Sequence, residues 1–274
     1  MISELEKKIT LRYLKPKKKD GFLNIISIFS FIGITLGVSV LIIVMSVMNG
    51  FRTELINKII GFNAHVSIQP YSAPIDKSKI KNDVIQSLSK DLIYTNSGEG
   101  VLFNKDNTKG LVLRGYSTSD FSKLSVIKNE NFEGNPDELI NNSISIGKDL
   151  AIEYNLNIGD QVLIMSSSGI ETIIGNIPKQ EPFIIKSFFD SGLSDFDNNV
   201  AFLNIKSLES LFDLDISERH LEIYLKNPIR IEKVKLQVEN VFTDEFVYTW
   251  ADMNSSLFSA LKVERNVMFI ILSL

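Results

Sequence analysis

The chain has 274 residues with a formal net charge of -4, 44% of them hydrophobic and 23% charged. It contains no cysteine and two histidines, His65 and His220, which excludes disulfides, thiolate metal sites and cysteine nucleophiles and leaves too few imidazoles for a histidine-rich metal site. These averages suit a soluble protein and a membrane protein with a large water-facing domain equally, so the distribution along the chain decides.

Residues 1–20 form a basic tail carrying Lys7, Lys8, Arg12, Lys15, Lys17, Lys18 and Lys19. Ile2, Leu5, Ile9 and Tyr13 recur at helical spacing, which fits a short helix lying on a membrane surface and equally a solvated basic segment. Residues 21–50 contain no charge, and Phe22 to Met48 reads FLNIISIFSFIGITLGVSVLIIVMSVM. A helix needs about 20 apolar residues to cross about 30 Å of hydrocarbon, so this stretch predicts a transmembrane helix with some tilt. It exceeds the apolar core of a signal peptide, and Asn49-Gly50-Phe51-Arg52 is no cleavage site. Only Arg52 and Lys58 follow it closely, so the basic flank places the N-terminus inside and the following domain outside. Gly33 and Gly37 form a GxxxG pair one turn after Ser30, a stripe for helix packing.

Residues 51–265 read as a mixed domain. Ala64 to Gln69 alternates like a strand closed by Pro70 and Pro74, and Lys77 to Lys90 has helical spacing. Strands are expected at Gly100–Asn104, Gly110–Tyr116, Gln161–Ser166, Pro182–Phe189, Val200–Leu203, Leu221–Leu225 and Phe246–Trp250. Ile144 to Asn155 reads as a strand entering a short helix, and Ile205–Phe212 and Ile229–Val241 read as helices. The outer segments 64–116 and 200–250 are expected to form one subdomain, with the strand-rich 117–199 inserted as a second. Asp252 to Arg265 reads as an amphipathic helix, and 266–274 as the start of a second transmembrane helix. The fold class is therefore a membrane protein with one complete transmembrane helix, the start of a second, and an α+β domain of two subdomains between them.

Catalytic patterns are missing from the sequence. The Gly-Lys at 147–148 lacks the earlier glycine of a phosphate loop, and neither HExxH nor GxSxG occurs. Asp195, Asp197 and Asn199 mimic the start of a calcium loop, but Val200 stands where glycine is needed and Lys206 where the closing glutamate belongs. His65 and His220 sit in or beside strand patterns and read as structural. The long connection from Ser166 to Pro178 carries Ile170, Ile173, Ile174 and Ile177 between glycines, which fits a binding loop as well as a hairpin packed on its own domain.

Several segments resemble the LolC/LolE permeases of the lipoprotein-releasing ABC transporter, within the MacB-like superfamily. They are IGITLGVSVLIIVMSVMNGFRTEL (Ile32 to Leu55), IGKDLA (Ile146 to Ala151), Ile158-Gly159-Asp160 and Gly175-Asn176-Ile177-Pro178. The last are Leu257-Phe258-Ser259-Ala260-Leu261 and Glu264-Arg265-Asn266-Val267-Met268. The resemblance covers almost the whole chain in order. It implies a permease subunit in the bacterial inner membrane, N-terminus cytoplasmic and large domain periplasmic, that takes triacylated lipoproteins from the membrane and passes them to a periplasmic carrier. It implies a cytoplasmic ABC ATPase that binds the ATP, a second permease subunit, identical or paralogous, no covalent chemistry and no cofactor or metal in this chain.

By the same resemblance, Met48, Phe51, Leu55 and Met268 are the expected lipoprotein-binding residues, apolar and adaptable as acyl chains require. Gly169, Ile170, Thr172, Ile174, Gly175, Ile177 and Pro178 are the expected carrier-docking hook, although Ile173 stands where the family often has proline. The family continues through four transmembrane helices, so the chain reads as a fragment that is not expected to couple to ATP by itself. Rival readings are a MacB-like exporter permease and a membrane-anchored ligand-binding receptor.

Overall fold

The computed structural model describes residues 4–14, 21–71, 73–104, 107–172, 175–228 and 231–273. The chain divides into two units: residues 1–54 with 261–274, and Leu55–Ala260.

The elements run α1 (Glu4–Leu14), α2 (Gly21–Phe62), β1 (Val66–Pro70), α3 (Lys77–Ile80), α4 (Asp83–Leu88), β2 (Ser89–Asn104), β3 (Asn107–Tyr116) and α5 (Thr118–Phe121). They continue as β4 (Glu133–Gly134), β5 (Ser143–Gly147), α6 (Lys148–Glu153), β6 (Gln161–Thr172), β7 (Gly175–Phe189), α7 (Ser194–Asn199), β8 (Val200–Asn204) and α8 (Ile205–Phe212). The last are β9 (His220–Leu225), α9 (Ile231–Glu239), β10 (Glu245–Thr249), α10 (Trp250–Met253) and α11 (Ser255–Ser273).

In the first unit, the apolar part of α2 is largely exposed over its described residues: Phe29 is 71% and Ile34 69% accessible, Leu41, Met45 and Met48 are half-buried, and the most apolar window of the helix has no buried residue. Water would charge roughly 25 cal/mol for each such Å², so a lipid bilayer is the solvent this surface fits. The helix continues past Gly50 to Phe62, and its segment from Leu55 onward belongs to the second unit.

The second unit is organised by β2. Its first half pairs antiparallel with β9, which pairs with β1, which pairs with β10. Its second half pairs antiparallel with β3 and, over Gly100–Phe103, with β6. From there β3 runs parallel to β8, β8 antiparallel to β5, β5 parallel to β7 and β7 antiparallel to β6. The last pairing returns to β2 and closes a six-stranded ring, while β4 adds to the C-terminal end of β7 at Ser187 and Phe188. Closure leaves these strands no free edge. Gly100 makes room for it, because a Cβ there would lie 2.9 Å from both Leu113 Cδ1 and the Met165 carbonyl oxygen.

Three cores follow from strand alternation. Leu102, Leu113, Ile146, Ile164, Phe183 and Leu203 fill the ring with help from Leu208 and Leu211 of α8. On one face of the four-stranded part, Ile59, Ile60, Ile85, Val234 and Trp250 pack against Val66, Ile68 and Ile223. On the other, Phe62, Tyr116, Phe121, Phe189, Phe202 and Tyr224 form an aromatic core.

The structure departs from the sequence expectations locally. The helix expected over Lys77–Lys90 is two short ones, because the side chains of Asp76 and Asn82 each cap an N-terminus, at Ser78 and Val84. Its last residues, Ser89 and Lys90, open β2. The connection from Ser166 to Pro178 is strand rather than loop over its described residues, with Gly169 opposite Pro178, Ile170 opposite Ile177 and Thr172 opposite Gly175. Trp250 starts a helix instead of ending a strand, held by the reciprocal cap of Thr249 and Asp252.

Candidate functional site

Within the first unit, α2 and α11 face each other across a small cleft of about 30 Å³. Helix α2 contributes Met45, Met48, Asn49 and Arg52, and α11 contributes Leu261, Glu264, Arg265 and Met268. Both sets follow the i, i+3, i+4, i+7 spacing of one helix face. The expected residues Met48 and Met268 are thus brought together. Phe51, 57% exposed, points elsewhere on α2 and does not line the cleft. Leu55 lies in the second unit, packed on the core around Ile59 and Trp250. Gly33 and Gly37 have nothing within 4 Å of the position a Cβ would take.

Four polar members of the cleft, Asn49, Arg52, Glu264 and Arg265, were not singled out from the sequence. Their signal was present: Arg52 is the first charge after the apolar stretch of α2, and Arg265 the last before that of α11. Neither arginine nor Glu264 forms an ion pair with a described side chain.

The expected hook coincides with the outer part of the β6–β7 ribbon. Gly169, Ile170, Thr172, Gly175, Ile177 and Pro178 are paired across it, and Pro178 is exposed. Ile173 and Ile174 lie outside the described residues. The ladder is irregular between Met165 and Gly169, which adds local twist where the ribbon leaves the ring. Lys179 ties its base down, donating to the Ser210 carbonyl of α8 and pairing with Glu181 at 3.3 Å. Beside this base is a groove of about 500 Å³ lined by Phe103, Asn104, Gln161, Val162, Leu163, Gln180 and Pro182.

Several buried titratable groups of the second unit are tied into its packing. The carboxylate of Glu222 accepts hydrogen bonds from Tyr116 Oη (3.0 and 3.1 Å) and Tyr224 Oη (3.0 Å). Burial pushes its pKa up, opposed by the Arg114 guanidinium. His65 Nδ1 accepts from the Leu225 amide at 2.7 Å, and burial holds the imidazole down at about 4. His220 is also lowered by burial, with Glu218 acting against it. Asp197, one of the calcium-loop mimics, instead receives the Ser191 amide at 2.9 Å inside the α7 turn. Among the described residues, no cluster of histidine or carboxylate side chains is arranged to hold a metal ion.

The MacB-like periplasmic core domain family matches residues 27–241. The "Lipoprotein-releasing system transmembrane protein LolC" of Xylella fastidiosa strain Temecula1 is 28% identical over 100% of this chain and 67% of its own length. The "Lipoprotein-releasing system transmembrane protein LolE" of Haemophilus influenzae is 25% identical over 96% of this chain and 65% of its own length. The chain thus spans about two thirds of the length of these relatives. The solved periplasmic region of MacB from Actinobacillus actinomycetemcomitans aligns with 72% of this chain and 94% of that one at 11% identity, with a TM-score of 0.41. The family match takes in most of the apolar helix and nearly all of the ring and its flanking sheet, and the chain belongs to the MacB-like periplasmic core domain family.

Proposed function

We propose that the chain is a permease subunit of an ABC transporter that releases lipoproteins from a membrane and hands them to a carrier. The observation that carries this reading is similarity to LolC over the entire chain, exposed apolar helix and water-facing domain together. In this reading the chain sits in the bacterial inner membrane with its N-terminus cytoplasmic and residues 51–265 periplasmic. Its partners are a second permease subunit and a cytoplasmic ATPase that binds and hydrolyses ATP, so the chain itself is not an enzyme. Met48, Phe51, Leu55 and Met268 serve the acyl chains of the substrate, and the ribbon over Gly169–Pro178 meets the carrier. The methionine-lined face supports the first role, since thioethers adapt to flexible chains without a charge to desolvate. A two-stranded projection from a closed ring supports the second, since it offers a stiff, reachable element.

Site-specific photo-crosslinking tests it. A photoreactive residue at Ile174 should capture a soluble periplasmic protein, and one at Phe51 a lipid-modified protein, in cells making the assembled transporter. A carrier adduct at Ile174 assigns docking to this subunit, and lipoprotein adducts at Phe51 alone assign it the substrate side. Silence at both positions overturns the reading.

A further inference from the structure

The polar end of the cleft in the first unit has a charge composition of its own. Arg52 and Arg265 bring two guanidinium groups and Glu264 one carboxylate, with the Asn49 amide between the helices and Met48 and Met268 toward the apolar stretches. None of the three charged groups is neutralised by a described side chain. The sequence fixes their level: α2 has no charge from Gly21 to Gly50, and α11 has none from Asn266 onward. Where both apolar stretches end, hydrocarbon gives way to headgroups. Arg265 is exposed and Arg52 and Glu264 half-buried, so all three are available to a charged group at the headgroup level. Two cations and one anion are complementary to a molecule with one phosphate and one ammonium, joined to acyl chains.

We propose that the charged mouth of this cleft, itself too small to enclose more than a water, is a surface binding site for an aminophospholipid headgroup. Arg52 and Arg265 bracket the phosphate, which guanidinium groups recognise through paired N–H donors. Glu264 accepts from the primary ammonium, and an acyl chain follows Met48 and Met268. The ammonium's N–H donors are the point of discrimination: a quaternary choline group has none to give Glu264. The proposal requires a lipid bilayer around α2 and α11. It does not rest on the transport reading, and in that reading a resident lipid and a lipoprotein compete for Met48 and Met268.

The test is native mass spectrometry of the detergent-purified, delipidated full chain, incubated with phosphatidylethanolamine or with phosphatidylcholine of the same acyl chains. The natural chain should retain the ethanolamine lipid about tenfold better, the worth of one charge-assisted hydrogen bond. Glu264→Gln, whose amide oxygen accepts more weakly than a carboxylate, should cut that preference several-fold and weaken choline-lipid retention less. The double variant Arg52→Gln/Arg265→Gln should lose both lipids, and Arg52→Lys/Arg265→Lys should recover part of the binding. Circular dichroism reports whether each variant keeps its helices, and Glu264→Gln alone decides should the double variant misfold. Equal retention of the two lipids by the natural chain overturns the proposal, as does a preference that Glu264→Gln leaves undiminished. Lipoprotein capture at Phe51 is read in a separate experiment, so failure of one does not carry the other.

Discussion

Arg114 stands over the ring of Phe62, its guanidinium carbon 5.5 Å from the ring centroid, and its Nη2 donates to Asn63 Oδ1 at 3.1 Å. Phe62 is the last residue of α2, stacked on Phe196 with centroids 4.3 Å apart and packed against Phe189 and Phe202. Arg114 lies on β3, two residues before Tyr116, which donates to Glu222. A single buried chain of cation, ring and carboxylate thus joins the end of the long helix to the centre of the sheet. Such networks are costly to form and costlier to break, because each half alone is an uncompensated buried group.

Arg114→Met should therefore destabilise the chain by about 1–3 kcal/mol, the cost of leaving Asn63 Oδ1 and the face of Phe62 without the guanidinium. Part of that cost falls on Glu222, whose pKa burial raises and the nearby Arg114 charge opposes. Arg114→Met combined with Glu222→Gln should cost clearly less than the sum of the two single changes. Urea unfolding of the detergent-solubilised chain, followed by tryptophan fluorescence of Trp250, gives the cycle. Additive losses would show that the two groups do not support one another.

His65 gives the domain a pH dependence of known sign. The imidazole titrates near 6.5 when unfolded and near 4 when folded, because it is buried and accepts the Leu225 amide. Below pH 6.5 the unfolded chain binds the extra proton first, so stability falls as pH drops toward 4 and levels off below it. The loss is on the order of 3 kcal/mol over that window. His65→Gln keeps an acceptor for the amide and removes the titration. Its stability should be flatter than that of the natural chain between pH 6.5 and 4, measured by urea midpoints at fixed ionic strength. Parallel curves would refute the assignment.

Gly147 tests how closely β5 and α7 approach. A Cβ at this position would collide with the backbone of Asp197, and backbone atoms cannot rotate away. Gly147→Ala should cost about 1–3 kcal/mol, as overpacking does. Gly110, whose Cβ would meet open space, is the matched control, and its alanine variant should lie within about 0.5 kcal/mol of the natural chain. The difference in thermal midpoint between the two variants is the measurement.

The sequence revealed local regularity better than closure. The apolar helix, α8 and most strands were legible because each carries its own periodicity. The first half of β2 was missed because Ser89 to Glu99 is largely polar, and its pairing with β9 is a matter of distant partners rather than local pattern. The ring was invisible for the same reason: β3 meets β8 and β5 meets β7 across long separations. The ribbon over Ser166–Pro178 read as a loop because its glycines and serines suppress strand propensity, while cross-strand pairing overrides it. In the cleft, Met48 and Met268 came from family resemblance. Arg52, Glu264 and Arg265 needed the facing of two helices that lie far apart in sequence.

The ribbon is separable from the ring on the evidence of its pairing. Leu163, Ile164 and Met165 already pair with both β2 and β7, so the ring is closed before the ribbon projects. Replacing residues 166–179 by Asn-Gly would join Met165 to Gln180, which are register partners, through a two-residue hairpin turn. The variant forfeits the ring pairing of buried Ser166 with Gly100, the hydrogen bond from Lys179 to the Ser210 carbonyl and the surface ion pair of Lys179 with Glu181, together about 1–3 kcal/mol. It should therefore fold with a modest loss of stability, read from its thermal midpoint. In the transport reading it should lose carrier binding in a pull-down from periplasmic extract, while lipoprotein crosslinking at Phe51 persists. A stable variant that still binds the carrier would move docking off the ribbon, leaving the groove beside Phe103 and Gln180 as the surface to test next. A variant that unfolds would show instead that the ribbon helps to hold the ring closed, and the single change Lys179→Met would then separate anchoring from docking.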